Sequence, residues 1–198
     1  ARVGYTLDVT RGDEVWNSSQ VWYMPFDDMN DPVTDEISMW PWREAYYTIN
    51  VCNFILSRTT GDDASLSESM KRIKGQALFL RGYSYYTLAG YYQNPALITD
   101  YANYSTLDGL YGKNSTYDDV LDQVEKDFSE AMTLLPSRDE GGEWAKGRAT
   151  CGAAAGYYAR TLMQRHKYSD ALVVLKDIMN KKYGSYKLMA NYGDNFRE

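Results

Sequence analysis

The stretch from Ser65 to Tyr92 constrains this chain most. It contains no proline, and its apolar residues recur at helical spacing. Leu66, Met70, Ile73, Ala77, Leu80, Ser84, Thr87 and Tyr91 form one stripe at steps of three or four. Leu78, Phe79, Tyr83, Tyr85 and Tyr86 make the rest of its C-terminal half apolar too. A helix that is apolar on most sides must be buried on most sides. The expected fold therefore has this helix at its centre, with neighbours on both flanks. Ser65 and Glu68 are spaced as a capping box at its start. Asn94-Pro95 stops it, because the residue before a proline is pushed out of the helical region.

The remaining elements follow from the same periodicity. Trp42, Tyr46, Ile49, Cys52 and Leu56 predict a helix over about 37–57, with Pro41 in its first turn, where the missing N–H costs nothing. Tyr117, Val120, Leu121, Val124, Phe128, Ala131, Met132 and Leu135 predict another over 116–135. The acidic residues Asp118, Asp119, Asp122, Glu125, Asp127 and Glu130 lie off that stripe. Pro136 ends the helix, and 137–144 reads as a charged loop. A fourth helix is expected over 148–165. The small residues at its centre, Cys151-Gly152-Ala153-Ala154-Ala155-Gly156, imply that a neighbour approaches closely, since each glycine costs about 1 kcal/mol against alanine in a helix. A fifth runs over 168–181, and the tail reads as irregular. Ala159 and Ala171 stand twelve apart across the last short turn, as the two small positions of a tetratricopeptide unit do. The fold class is mainly α, with tetratricopeptide-like antiparallel helix pairs, long loops and few or no strands. Residues 1–36 show no sustained period and read as an irregular segment packed on a helical domain of 37–198.

Charge and composition exclude several function classes. The chain has 198 residues, with 21 Lys+Arg against 27 Asp+Glu and a net charge of -6. That balance argues against nucleic acid, whose binders cluster positive charge. Two cysteines and one histidine are too few for a zinc finger, an Fe–S cluster or a His-rich metal site. No P-loop, GxGxxG, HExxH or GxSxG motif is present, so no enzyme activity and no cofactor are implied. His166 reads as a helix-end residue capping carbonyls. Cys52 and Cys151 read as buried small hydrophobes, with a disulfide between them left open. The segment Asp27-Asp28-Met29-Asn30-Asp31-Pro32 lacks the glycine and glutamate of an EF-hand in register and reads as a solvated acidic loop.

Nineteen tyrosines, five tryptophans and five phenylalanines are the distinctive feature. Rings in helical stripes fill the core. Rings outside the stripes are candidates for stacking on a flat apolar ligand face, because an aromatic side chain offers large contact area and, in tyrosine and tryptophan, a polar tip. Trp16, Trp22 and Tyr23, with Asn30 as a hydrogen-bonding neighbour, are the candidates in the first segment. Tyr101 and Tyr104 are the candidates in the long loop of about 94–115, and Tyr111 lies in the same loop. Loops of that length are commonly functional.

Taken in order, these segments resemble the SusD/RagB family. Gln76-Ala77-Leu78-Phe79-Leu80-Arg81-Gly82-Tyr83-Ser84-Tyr85-Tyr86-Thr87-Leu88, followed by Tyr91-Tyr92 and Pro95, is similar to the family signature E-A-x-F-L-R-A-Y-x-Y-F-x-L. Gly82 stands where the family usually has alanine. Trp42, Tyr46, Ile49, Cys52 and Asn53 resemble the preceding helix. Tyr117 to Pro136, Gly147-Arg148-Ala149 to Leu162, Lys167-Tyr168-x-x-Ala171 and Tyr186-x-Leu188 complete the sequence of motifs.

The resemblance implies a surface-exposed outer-membrane lipoprotein of Bacteroidetes that is not an enzyme. It implies a glycan, or in some members a peptide, as ligand and a SusC-like TonB-dependent transporter as partner. The match is to the N-terminal helical half of a longer family; its C-terminal part and lipidated cysteine have no counterpart here, so a mature, truncated or fragmentary form is expected. Any membrane contact would run through that lipid anchor. Arg81 and Arg148 are expected to be structural. The competing expectation is a helical-repeat adaptor that binds a protein or peptide in a concave groove. Sugar binding calls for rings exposed in loops; an adaptor calls for rings lining the inner helices.

Overall fold

The structure, a computed structural model, describes residues 36–196 together with 23–28, 30, 9 and 12. Among these residues it is helical, without a strand. A single turn, α1 (Met24–Asp27), precedes α2 (Glu36–Arg58) and α3 (Glu68–Tyr92). After a long connection containing the short α4 (Leu107–Leu110) come α5 (Tyr117–Leu134), α6 (Arg138–Ala145), α7 (Cys151–Gln164) and α8 (Tyr168–Met179). No helix among the described residues is long and apolar enough to cross a membrane.

The helices stack in order, and three apolar clusters join them. The first lies between α2, α3 and α5 and is built on Ile49, Tyr85, Leu88, Val124 and Phe128. The second joins α3, α5 and the start of α7 through Leu78, Ala131, Leu135 and Ala154. The third holds α7 to α8 through Ala155, Ala159, Leu162, Ala171 and Val174. Ala159 and Ala171, the twelve-residue pair, are therefore both buried in the cluster between the last two helices. The turn at 165–167 sends α8 back along α7, and α5 anchors that turn. Arg165 reaches Asp122 and Glu125 of α5 at 2.5 and 2.7 Å, and Lys167 reaches Glu125 at 2.9 Å.

Helix α3 is central, with α2 on one flank and α5 on the other. Its buried face differs from the leading stripe of the sequence. Leu78, Arg81, Gly82, Tyr85, Leu88 and Ala89 point inward, while Ile73, Leu80 and Tyr83 are exposed. Close approach to α5 selects that face. A Cβ added to Gly82 would lie 3.1 Å from the Asp127 Cβ and 3.3 Å from the Phe128 ring. The N-terminus also differs: Ser67, not Ser65, is the cap, accepting from the Met70 N–H at 3.3 Å. Asp62, which accepts from the Ala64 N–H, and Ser65 belong to a separate 3₁₀ turn, Asp63–Ser65. The reciprocal capping box is at α5 instead, between Thr116 and Asp119.

Other departures have local causes. Pro41 sits inside α2 rather than in its first turn. The charged stretch after Pro136 forms α6, capped by Ser137 and broken at Gly142 (φ 52°). In α7 only one of the two glycines meets a neighbour. Gly152 lies against the Tyr186 hydroxyl, whereas Gly156 faces open space.

Asp127 was expected among the acidic residues off the α5 stripe, and it is fully buried. Arg81 from α3 grips it with two bonds, Nε to Oδ2 at 2.9 Å and Nη2 to Oδ1 at 2.7 Å. Gln123 donates to Oδ1 at 2.7 Å, and Arg81 Nη1 donates to Asn53 Oδ1 of α2 at 2.8 Å. One fork thus ties three helices. Burial pushes the Asp127 pKa up, against the bonds from Arg81 and Gln123. Burial also opposes the Arg81 charge, but its bonds to Asp127 outweigh it and keep the guanidinium protonated.

Asp127→Ala leaves the Arg81 charge buried and unpaired. We expect a loss of about 3–5 kcal/mol of unfolding free energy, with the double variant Arg81→Met/Asp127→Leu losing much less; urea unfolding of the three chains measures both. The cysteines are free and buried, and burial pushes the Cys52 thiol up to about 11. A thiol reagent at pH 8 should therefore label neither cysteine in the folded chain and both in guanidinium, because the thiolate is the reacting form.

Candidate functional site

The connection leaving α3 is held by side chains of two helices. Gln93 turns it at φ 61°. The chain then runs back alongside α2 and α3 as a strap without regular structure over 95–100, and side chains from both helices satisfy its backbone. Tyr46 donates its hydroxyl to the Ala96 carbonyl at 2.7 Å. Asn53 Nδ2 donates to the Ile98 carbonyl at 2.7 Å. The Tyr85 hydroxyl donates to the same carbonyl and accepts from the Ile98 N–H, both at 2.8 Å. Arg81 Nη1 adds a bond to the Thr99 carbonyl at 3.3 Å. Burial pushes the pKa of Tyr46 and of Tyr85 far up, so both hydroxyls keep their protons as donors.

Beyond the strap, Asp100 caps the 3₁₀ turn Tyr101–Ser105, and Thr106 caps α4. This turn presents the two loop tyrosines chosen from sequence. The Tyr101 ring lies 5.2 Å from the Phe54 ring of α2 and 5.8 Å from the Tyr104 ring. The Arg58 guanidinium stands over the Phe54 ring, 5.3 Å from its centroid. Phe54 is 42% exposed and Tyr101 38% exposed. Tyr104 is half-buried, and burial pushes its pKa up. Arg58, Phe54, Tyr101 and Tyr104 thus form an aromatic shelf, one side on a helix and the other on the pinned loop.

The structure brings Tyr101 and Tyr104 together and leaves Tyr111 apart, 83% exposed. Tyr23 is half-buried in the turn before α1, and Asn30 is exposed, its N–H bonded to the Pro25 carbonyl at 2.7 Å. Tyr23 makes no ring contact with the shelf among the described residues. Trp16 and Trp22 lie outside the described residues. Phe54 and Arg58 were missed from sequence. The available signal was that Phe54 is an aromatic off the stripe of Trp42, Tyr46, Ile49, Cys52 and Leu56.

A second surface feature is an apolar groove of about 360 Å³ between α2 and α3, lined by Tyr47, Val51, Ile73 and Leu80 and closed by Trp144 and Arg148. The Trp144 ring has the Arg72 guanidinium 5.3 Å from its centroid and that of Arg148 at 5.5 Å. Arg148 also donates to the Trp144 carbonyl at 3.2 Å. It pairs with no acid among the described residues; its bond is to the end of α6, in keeping with the structural role expected of it. His166 was expected to cap carbonyls with its ring. Instead its backbone N–H does so, to Met163 at 3.0 Å, while Nδ1 meets the Tyr168 hydroxyl at 2.7 Å. Among the described residues, no three His, Cys, Asp or Glu side chains gather to hold a metal.

A SusD-like family model described as "Starch-binding associating with outer membrane" matches residues 4–163. No curated protein matches the chain in sequence. Among solved structures, a SusD superfamily protein from Bacteroides vulgatus superimposes with a TM-score of 0.83 at 22% identity, over 98% of this chain and 41% of its own. Surface glycan-binding protein A from Bacteroides uniformis gives 0.80 at 19% identity, over 97% and 43%. The same-named protein from Bacteroides thetaiotaomicron, in complex with laminarihexaose, gives 0.76 at 21%, over 98% and 40%. At these identities the likeness establishes the fold. The chain spans about two fifths of the length of these structures.

Tyr85→Phe tests the strap. It removes both bonds to Ile98 and leaves a buried N–H unpaired, a loss of about 1–3 kcal/mol. Hydrogen exchange of the Ile98 amide should accelerate more than exchange at the centre of α5.

Proposed function

The chain belongs to the SusD-like family, and from that premise we propose that it captures a glycan at the cell surface and delivers it to a SusC-like TonB-dependent transporter of the outer membrane, without catalysis. The observation that carries the glycan reading is the aromatic shelf. A pyranose has flat apolar faces and a rim of hydroxyls. Exposed rings of Phe54 and Tyr101 match the faces, and the Arg58 guanidinium over the Phe54 ring supplies donors for the rim; the Tyr104 hydroxyl is buried, so Tyr104 backs the shelf rather than meeting the sugar. The pinned strap makes the shelf rigid before binding, and a preformed surface loses less ordering entropy on association. The relative solved with laminarihexaose supports an oligosaccharide as the ligand class.

Lid closure over a transporter would require the ligand to favour one state. A glycan can shift such an equilibrium only by the difference in its affinity for the two states. The acidic net charge and the aromatic surface are compatible with a neutral polymer held by stacking. The outer-membrane, cell-surface location and the lipid anchor follow from the family reading.

A helical-repeat adaptor is the second reading, and the groove between α2 and α3 favours it. Its apolar wall of Tyr47, Val51, Ile73 and Leu80 is the kind of surface that receives a peptide side chain.

The two separate in one experiment. Affinity electrophoresis of the 198-residue chain through gels of neutral polysaccharides, laminarin among them, should show retardation by at least one. Tyr101→Ala should weaken that binding by about 1–3 kcal/mol, the scale of a hot-spot ring, with Tm unchanged. Failure of every glycan to retard the chain would overturn the glycan reading and leave the adaptor. A parallel fall in Tm would make Tyr101 a packing residue.

A further inference from the structure

The segment from α6 to the start of α7 forms a pocket of a different character. Gly142 breaks α6 at φ 52°, and Gly147 turns the chain at φ 73°. These two turns fold Arg138, Lys146 and Arg148 around an open pocket of about 520 Å³. Gly152 and Ala153, in the first turn of α7, line it. Two hydroxyls, Thr150 Oγ1 and Tyr186 Oη, stand at its edge, 3.4 Å apart. A Cβ at Gly152 would lie 2.2 Å from the Tyr186 oxygen, so glycine is what lets that hydroxyl come so close to α7.

The charge of this pocket is one-sided. Three cations line it and no acid does, in a chain whose net charge is -6. The acids of α6 are engaged elsewhere. Asp139 accepts from the Ser185 N–H at 2.7 Å, and Glu140 accepts from the Ser137 hydroxyl at 3.0 Å. Glu143 meets Lys146 at 2.6 Å, but the side chains are 87% and 73% exposed, and such a surface pair contributes little. Arg138 and Arg148 have no ion pair among the described residues. Arg148 is held in place by its bond to the Trp144 carbonyl and its position over the Trp144 ring.

We propose that this pocket binds the anionic group of an acidic glycan, a uronate carboxylate or a sulfate ester. The inference rests on the glycan-binding reading and extends it to a second site and a substrate class. Two guanidinium forks suit a planar carboxylate and also accept a sulfate. The two hydroxyls supply donors and acceptors for the sugar that carries it. Arg148 lines both this pocket and the apolar groove. A saccharide lying along the Trp144 side therefore places its anionic group among the three cations.

The test is isothermal titration of the full chain with galacturonate oligomers, with dextran sulfate and with uncharged dextran, at 50 and 200 mM salt. We expect binding of at least one acidic probe, weaker at high salt, and no comparable binding of uncharged dextran. The carboxylate and sulfate arms identify which anion the pocket takes. Arg138→Ala, and separately Lys146→Ala, should lower acidic-probe affinity five-fold or more, while laminarin binding stays unchanged. Lys126→Ala/Lys176→Ala removes two charges outside the pocket and should have no such effect. An equal loss in that control would reduce the interaction to general attraction of a polyanion and overturn the proposal. Absence of acidic binding with laminarin binding intact would overturn this site alone. Absence of both would overturn this site and the glycan reading together.

Discussion

The buried fork between Arg81 and Asp127 is the constraint on which the rest of the arrangement depends. A guanidinium inside an apolar cluster is costly unless its charge and its donors are answered. Here Asp127 of α5 answers the charge, and Asn53 of α2 and the Thr99 carbonyl take the remaining donors. Satisfying one side chain therefore fixes the rotation of α2, the face of α3 turned to α5, and the course of the strap. Gly82, beside Arg81, gives α5 the room to come close enough for the bond.

That arrangement reaches the surface through the strap. A segment without regular structure has no helix or sheet to satisfy its backbone, and buried peptide groups must find partners. Tyr46, Asn53, Tyr85 and Arg81 supply them, so the loop's rigidity comes from the helices beneath it. The shelf is the exposed end of the same structure: Phe54 follows Asn53, and Tyr101 follows the residues that Asn53 and Arg81 hold. Recognition and stability share residues here, which is why shelf rings and strap clamps call for different measurements.

Helix existence was legible because periodicity is local. The stripes of α2 and α5 and the antiparallel pairing of the last two helices through Ala159 and Ala171 could be read from spacing alone. The inward face of α3 was less legible, because apolar residues lie on most of its sides and periodicity cannot rank them. Asp127 was illegible for a related reason. Its charge marks it as a surface residue unless a partner is known, and that partner lies forty-six positions away in Arg81. Ser65 offered the right spacing for a cap, but Ser67 had the same chemistry one turn edge later, and the 3₁₀ turn preceding it settled the matter. Of the stacking candidates, Tyr101 and Tyr104 do meet, and Phe54 was overlooked because it sits on a helix rather than in a loop.

By itself, the sequence determined the helical class, the order of the five long helices, the family and the absence of recognisable catalytic motifs, since each of these depends on local pattern and residue type. The tertiary structure alone decided which face of α3 is buried, that an acid off the α5 stripe is interior, and which distant residues share a surface. Those outcomes depend on contacts between residues far apart in the chain. Arg58 and Tyr101 both come to the Phe54 ring, and Arg138 and Arg148 come to line one glycine-turned pocket, only after the helices have packed.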